Sequence, residues 1–266
     1  NRFMGAYSFR YSATSWLVLE GQYSFEKQDN KGDFYQPYGY LTRGSYPEGT
    51  LGNMSKNYGD NFSQASQFTA NINKQFGDFT TKFKLSYRYE NNEWSGFNTG
   101  SSDFKVRDVP DFGAIDQDKA YNGSYTGQTV AHNIFAIADV DYKAKYIGSF
   151  LYRYDGASQF GANERWAPYY RVSGAWRISE DFQIPGISEL KIRAAHGTSG
   201  IRPPWNAQYE TYSLSGGNVT KNTLGNANLK PSKVIETEVG LNVEFLKRFD
   251  FEFVYSKTDA EDQHYP

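Results

Sequence analysis

The chain of 266 residues contains no cysteine. Without cysteine there is no disulfide, no thiolate metal site and no cysteine nucleophile. The sequence also has no run that approaches the ~18 consecutive apolar residues of a transmembrane helix, and its mean hydropathy is −0.72. The composition therefore excludes a helical membrane protein. It does not exclude a membrane β-barrel, whose strands carry apolar side chains only at alternate positions.

Residue types that perform catalysis or hold cofactors are also sparse. The three histidines, His132, His196 and His264, are far apart in sequence, and no two have the spacing of metal ligands. The motifs G-x-x-x-x-G-K-[ST] and G-x-S-x-G are both missing. The net charge is −2 and no basic stripe indicates nucleic acid. We predict no enzyme activity and no cofactor, and we assign no residue to a metal site; His132 and His196 are predicted near strand ends at a rim.

Aromatic residues, in contrast, are abundant, with 22 Tyr and 20 Phe. The stretch "YYRVSGAWRIS" alternates between an apolar set that includes Val172 and Trp176 and a polar set that includes Arg171 and Arg177. "FTTKFKLSYRYE", "VIETEVGLNVEF" and "FDFEFVYS" repeat the pattern. Alternation with period two indicates a β-strand with two different faces. In a soluble sandwich the apolar face meets a core, whereas in an outer-membrane barrel it meets lipid and the polar face lines the lumen.

The connections between strands separate these two architectures. The alternation predicts ten strands, near 2–12, 15–26, 66–76, 79–91, 131–143, 146–156, 166–178, 188–198, 233–245 and 249–258. Short connections alternate along the chain with long ones, which fall near 27–65, 92–130, 157–165 and 199–232. An up-and-down meander with its long loops at one end is typical of an outer-membrane barrel, whereas a Greek-key sandwich mixes loop lengths. We therefore predict an all-β, antiparallel up-and-down barrel segment in which Trp176 faces lipid and Arg171 faces the lumen.

The long loops are rich in Gly, Asn, Ser, Tyr and Asp. They either cover the rim or contact a ligand or partner through exposed rings and polar groups. The candidate contact residues are Trp94, Arg107, Trp205, Tyr209 and Tyr212.

One long loop also contains the acidic stretch "DVPDFGAIDQD". Its carboxylates are Asp108, Asp111, Asp116 and Asp118. The stretch lacks the ligand spacing, turn glycine and final glutamate of an EF-hand loop. A calcium site in this loop is left open.

The second half of the chain resembles the SusC/RagA-type TonB-dependent transporters of Bacteroidota. That family carries R-x-D-G-S-S-x-F-G, then R-W, then S-x-A-W-R-I-S-E, then L-K-L-R-x-S-x-G-x-x-G, and later N-x-N-L-K and E-x-G-L. The matching residues here are Arg153, Asp155, Gly156, Ser158, Phe160, Gly161, Arg165, Trp166, Ser173, Ala175, Trp176, Arg177, Ile178, Ser179, Glu180, Leu190, Lys191, Arg193, Gly197, Gly200, Asn226, Asn228, Leu229, Lys230, Glu238, Gly240 and Leu241. Ala157 departs from the serine that the family often has. The first half of the chain matches the family only in its general pattern, without these motifs.

The resemblance implies the barrel of a transporter that imports a large nutrient, typically an oligosaccharide or a peptide. It implies outer-membrane lipid around the barrel, a SusD-like surface lipoprotein as partner, and energy from TonB acting through a plug domain that this chain lacks. It places the protein in the outer membrane of a Gram-negative bacterium as a multi-pass protein. The family's barrel has about 22 strands, so we expect residues 1–266 to be one incomplete barrel segment, a mature form or a fragment, completed by further strands.

Two other interpretations stay open. The first and last strands could instead pair with each other in a small ten-stranded barrel, because an open edge in hydrocarbon leaves unpaired backbone groups. The barrel could serve as a scaffold subunit in an outer-membrane assembly or secretion complex, or carry an enzyme site at its rim. The scattered histidines argue against the enzyme.

Overall fold

The computed structural model describes residues 1–44, 49–215 and 217–263, and His264 lies outside these ranges. The strands are β1 (Arg2–Ser12), β2 (Leu17–Gln36), β3 (Asn53–Phe76), β4 (Phe79–Ser102), β5 (Ala120–Tyr142), β6 (Tyr146–Ala157), β7 (Trp166–Arg177), β8 (Ile187–Ile201), β9 (Thr211–Ser215), β10 (Asn218–Thr223), β11 (Ser232–Phe245) and β12 (Phe249–Glu261). No helix in the described part of the chain is long and apolar enough to cross a membrane.

Ten strands form a single sheet in the order β1-β2-β3-β4-β5-β6-β7-β8-β11-β12, and β9 pairs with β10 in a separate hairpin. Strands that follow one another along the chain are therefore neighbours, which confirms the all-β, antiparallel up-and-down architecture. β1 and β12 lie at the two ends of this order and are not paired with each other among the described residues. Within the described residues, the structure therefore shows no strand pairing that would close a ten-stranded barrel.

All ten predicted strands are present, but four of them extend ten or more residues beyond a predicted end. β2 continues to Gln36, β3 begins at Asn53, β4 continues to Ser102 and β5 begins at Ala120. The predicted loops near 27–65 and 92–130 are therefore wrong in extent. These outer strand parts carry polar residues on both sides, so they show no two-faced period, although the backbone still pairs. The hairpin of β9 and β10 was also missed inside the predicted loop near 199–232.

Contacts divide the chain into two compact units. The first comprises residues 1–6, 24–64 and 91–128. Its small core consists of Met54, Phe104, Ala114 and Ile115, with Phe112 packed against it. This core forms because the connection between β4 and β5 folds back on itself through an isolated bridge between Phe104 and Ile115.

The second unit comprises residues 7–23, 65–90 and the chain from 129 onward. Here the register places Phe150 beside Val172 and Tyr152 beside Tyr170, so the rings and branched side chains share one face. We call this the aromatic face, and the opposite face, which carries Arg171, the polar face. Val172 is 48% exposed and Val239 is 51% exposed. Apolar side chains therefore cover a surface that no described part of the chain buries.

Aromatic rings also form a row at the edge where the short turns lie. The rings of Tyr142 and Tyr146 are 6.2 Å apart, and those of Tyr146 and Trp176 are stacked at 6.1 Å. Asp181, in the turn after β7, accepts hydrogen bonds from the Tyr146 hydroxyl at 2.7 Å and from the Trp176 indole nitrogen at 2.9 Å. Lys145 Nζ lies 2.8 Å from the same carboxylate. The turn is thus tied to the aromatic row.

Candidate functional site

The motif residues after β6 converge on the loop between β6 and β7. Ser158 Oγ accepts a hydrogen bond from the Val130 backbone nitrogen at 2.9 Å. Its carbonyl accepts one from Arg165 Nη1 at 2.7 Å and another from Gln208 Nε2. Phe160 is 1% exposed, within a cluster formed by Ala131, Ala157, Ala167 and Tyr169. Ser158, Phe160 and Arg165 therefore act as packing and hydrogen-bonding residues of this loop.

Gly161 brings a distant segment of the chain onto the same loop. Its backbone nitrogen donates to the Leu229 carbonyl at 2.9 Å, and the Asn163 nitrogen donates to the Ala227 carbonyl at 3.0 Å. Asn163 Nδ2 also donates to Asn228 Oδ1 at 2.8 Å. A Cβ on Gly161 would overlap the Ala227 carbonyl. The position therefore needs glycine because two backbones approach closely there.

The start of the connection between β8 and β11 is held on the polar face. Arg202 Nη1 lies 3.1 Å from Glu90 Oε2, and its Nη2 donates to Asn133 Oδ1 at 3.2 Å. The next residue, Pro203, is fully buried, and its carbonyl accepts a hydrogen bond from Gln159 at 3.4 Å. Both ends of this connection are thus fixed to the β6–β7 loop or to neighbouring strands. We call the whole arrangement, residues 157–169, 200–208 and 226–229, the motif node.

Three of the predicted contact residues lie on or next to the motif node. Trp205, Tyr209 and Tyr212 are 44%, 46% and 56% exposed. The Tyr212 hydroxyl donates to Glu210 at 2.7 Å, and Lys221 Nζ lies 2.7 Å from the same carboxylate. These hydrogen bonds, that of Lys221 first, lower the pKa of Glu210. These three rings are therefore partly exposed to solvent on a segment that the motif node holds in place.

The other two predicted contact residues lie in the first unit. The Arg107 guanidinium stacks over the Tyr38 ring, 4.1 Å from its centroid, and donates to the Tyr38 hydroxyl at 3.2 Å. Trp94 lies against Gly127 and lines a cavity of about 380 Å³ together with Asp60 and Gln128. The structure thus gives Arg107 a stacking partner and Trp94 a cavity wall.

Two of the four loop aspartates accept hydrogen bonds from backbone nitrogens of the same loop. Asp111 accepts a hydrogen bond from the Gly113 nitrogen at 2.7 Å, and Asp116 accepts one from the Asp118 nitrogen at 3.2 Å. Lys105 Nζ lies 2.8 Å from Asp116 and lowers the pKa of that carboxyl. Among the described residues, no group of three or more His, Asp or Glu side chains could hold a metal ion.

Both described histidines lie on the aromatic face. His132 lies twelve residues after the start of β5, so the prediction that it lies near a strand start is wrong, whereas His196 lies five residues before the end of β8. His132 Nδ1 is 2.7 Å from the Tyr87 hydroxyl. His196 Nδ1 is 2.9 Å from Thr237 Oγ1, and the residue pairs with Val172 across the strands. The error arose because β5 begins well before its two-faced alternation does.

Comparisons with known proteins agree with this architecture. Residues 1–265 match the family model described as "TonB dependent receptor-like, beta-barrel". Two TonB-dependent receptors of Formosa agariphila, P3 and P26, are 26% and 24% identical over 82% and 84% of this chain. The chain spans only 23% and 22% of their lengths.

Solved structures show the same fold. The RagAB peptide transporter superimposes with a TM-score of 0.80 at 16% identity, over 96% of this chain and 30% of that one. The siderophore receptor PiuA from Acinetobacter baumannii gives a TM-score of 0.54 at 11% identity, over 96% of this chain and 39% of that one. These relatives are named as receptors and transporters, which agrees with the prediction that the chain is not an enzyme. The resemblance to SusC/RagA-type transporters is confirmed, and the chain belongs to the TonB-dependent receptor-like β-barrel family.

Proposed function

We propose that residues 1–266 are one incomplete barrel segment of a TonB-dependent outer-membrane transporter that imports a large nutrient, an oligosaccharide or a peptide. The observation that carries this proposal is the exposed aromatic face. Alternate residues of β6, β7, β11 and β12 place rings and branched side chains on this single surface. Such a surface is far too apolar for water and suits the hydrocarbon of a bilayer.

The open sheet edges support a larger barrel. Each unpaired backbone group in hydrocarbon would cost several kcal/mol, so β1 and β12 need neighbours. Further strands of the same receptor, to about 22 in total, would supply them. A plug domain outside this chain would connect the barrel to TonB.

The proposed partner is a SusD-like surface lipoprotein at the long connections. The motif node holds both ends of the connection between β8 and β11, and this segment presents Trp205, Tyr209 and Tyr212. Partially exposed Trp and Tyr on a fixed base are favoured in protein interfaces. Trp94 and Arg107 are proposed as further contacts for a ligand or partner.

The runner-up function is a scaffold subunit of an outer-membrane assembly or secretion complex. Purification of the whole, tagged receptor from the outer membrane tests both functions. A surface lipoprotein encoded beside the receptor should co-purify in a stoichiometric amount. Recovery of an assembly machine in its place would favour the scaffold.

A further inference from the structure

A trough lies on the polar face of the second unit between β6, β7, β8 and β11. Its cavity is about 550 Å³. Small side chains line much of it, namely Ser149, Ser173, Ala175, Ala195 and Gly197. The floor of the trough therefore lies close to the backbone of the sheet, and a long side chain beside it extends above this floor.

Two charged residues face each other across this floor. Arg171 of β7 pairs with Gly197 of β8, and Gly197 pairs with Glu236 of β11. Two strand spacings separate the backbones of Arg171 and Glu236, or roughly 10 Å. Gly197 has no side chain to fill the gap, and a Cβ there would lie 3.1 Å from the Arg171 Cβ. All three residues line the same cavity.

Four charged residues line this cavity, and among the described residues Arg171 and Glu236 are the two of them without an ion pair. Arg193 contacts both Glu238 and Glu252, and Arg153 lies 2.5 Å from Asp155. Within the described ranges, neither Arg171 nor Glu236 is joined to an oppositely charged group, and both are exposed. One cation and one anion therefore stand on opposite walls of a trough, each with its hydrogen-bonding capacity unused.

We propose that this trough is a subsite for a zwitterionic solute such as a short peptide. The Arg171 guanidinium would bind the carboxylate through paired N–H donors. The Glu236 carboxylate would accept hydrogen bonds from the ammonium group. The proposal rests on the transporter function, and it assigns ligand chemistry to one place on the lumen wall.

The test uses the whole receptor in detergent and three probes, with binding followed by saturation-transfer NMR. The probes are triglycine, triglycine with an acetylated amino end, and triglycine with an amidated carboxyl end. Capping either end should weaken binding roughly tenfold, because each removes a charge-assisted hydrogen bond. Arg171→Gln should weaken triglycine binding by a similar factor and abolish the further effect of amidation. Glu236→Gln should likewise weaken triglycine binding and abolish the further weakening that acetylation causes.

Matched controls are Arg248→Gln, in the turn before β12, and Glu244→Gln, on the polar face of β11 away from the trough. Both should leave triglycine affinity unchanged. Equal binding of all three probes, no binding by the whole receptor, or equal losses in the control variants would overturn the subsite. Outer-membrane fractionation separates this result from the broader proposal. If the receptor reaches the outer membrane but binds capped and uncapped triglycine equally, the subsite alone is refuted. If the receptor is absent from the outer membrane, the transporter proposal itself is refuted.

Discussion

At the scale of single residues, neighbours along a strand have opposite surroundings. Val172 pairs with Phe150 and His196 on the aromatic face. Arg171, one position earlier, lines the trough on the polar face. A change at one position should therefore have a different cost from the same kind of change at the next.

Val172→Arg should impair assembly, because a basic side chain on the lipid face near mid-membrane costs about 2–4 kcal/mol. Arg171→Gln is the adjacent control and should insert normally. The yield of folded receptor in the outer-membrane fraction measures both. Equal losses in the two variants would show that the faces are assigned wrongly.

Asp181 makes the edge of the aromatic row sensitive to acid. Hydrogen bonds from Lys145, Tyr146 and Trp176 lower its pKa from 3.8 to about 2. A carboxyl whose pKa is lower in the folded state stabilises that state above its ordinary pKa, and this contribution is lost as pH falls toward about 2. Trp176 emission should therefore change between about pH 4 and pH 2 in the purified receptor. Asp181→Asn should remove that transition, and its persistence would argue against the assigned partners.

At the scale of elements, the close backbone contacts of the motif node explain why the motif in the loop between β6 and β7 has glycine at position 161. Gly161→Ala places a methyl group against the backbones of Ala227 and Leu229, and overpacking of this kind costs about 1–3 kcal/mol. Limited proteolysis should cut residues 202–231 faster in this variant. Gly148→Ala is the control, since a Cβ there meets nothing within 4 Å. Equal cleavage of the two variants would contradict the node.

The ring at Trp205 should serve binding more than stability. Trp205→Ala should weaken partner binding by about 2 kcal/mol, the usual size for an interface hot spot, and leave the melting temperature unchanged. Pull-down of the surface lipoprotein and a melting curve check this together. Leu246→Ala, in an exposed short turn, is the control. A lower melting temperature with unchanged lipoprotein binding would show that Trp205 only holds the loop in shape.

The elements also show how far the sequence could predict the structure. Strands such as β6, β7 and β11 were predictable because one face is apolar and the other polar, which gives a strict period of two. The outer part of β3, "NMSKNYGDNFS", has no such contrast, and its pairing depends on neighbouring strands. Arg202, in the motif node, contacts Asn133 and Glu90, which are 69 and 112 positions away in sequence. The facing pair Arg171 and Glu236 likewise required the strand register.

At the scale of the whole molecule, the central claim is an up-and-down segment that crosses an outer membrane. Its long connections should lie outside the cell and its short turns in the periplasm. The turns concerned are residues 13–16, 77–78, 143–145, 178–186 and 246–248.

Single cysteines test this directly, because the chain has none of its own. Ser213→Cys lies in the β9–β10 hairpin and Ala144→Cys in the turn between β5 and β6. In intact cells treated with a membrane-impermeant maleimide, Ser213→Cys should be labelled. Ala144→Cys should react only after the outer membrane is permeabilised. Labelling of both positions in intact cells, or of Ala144→Cys alone, would contradict the account.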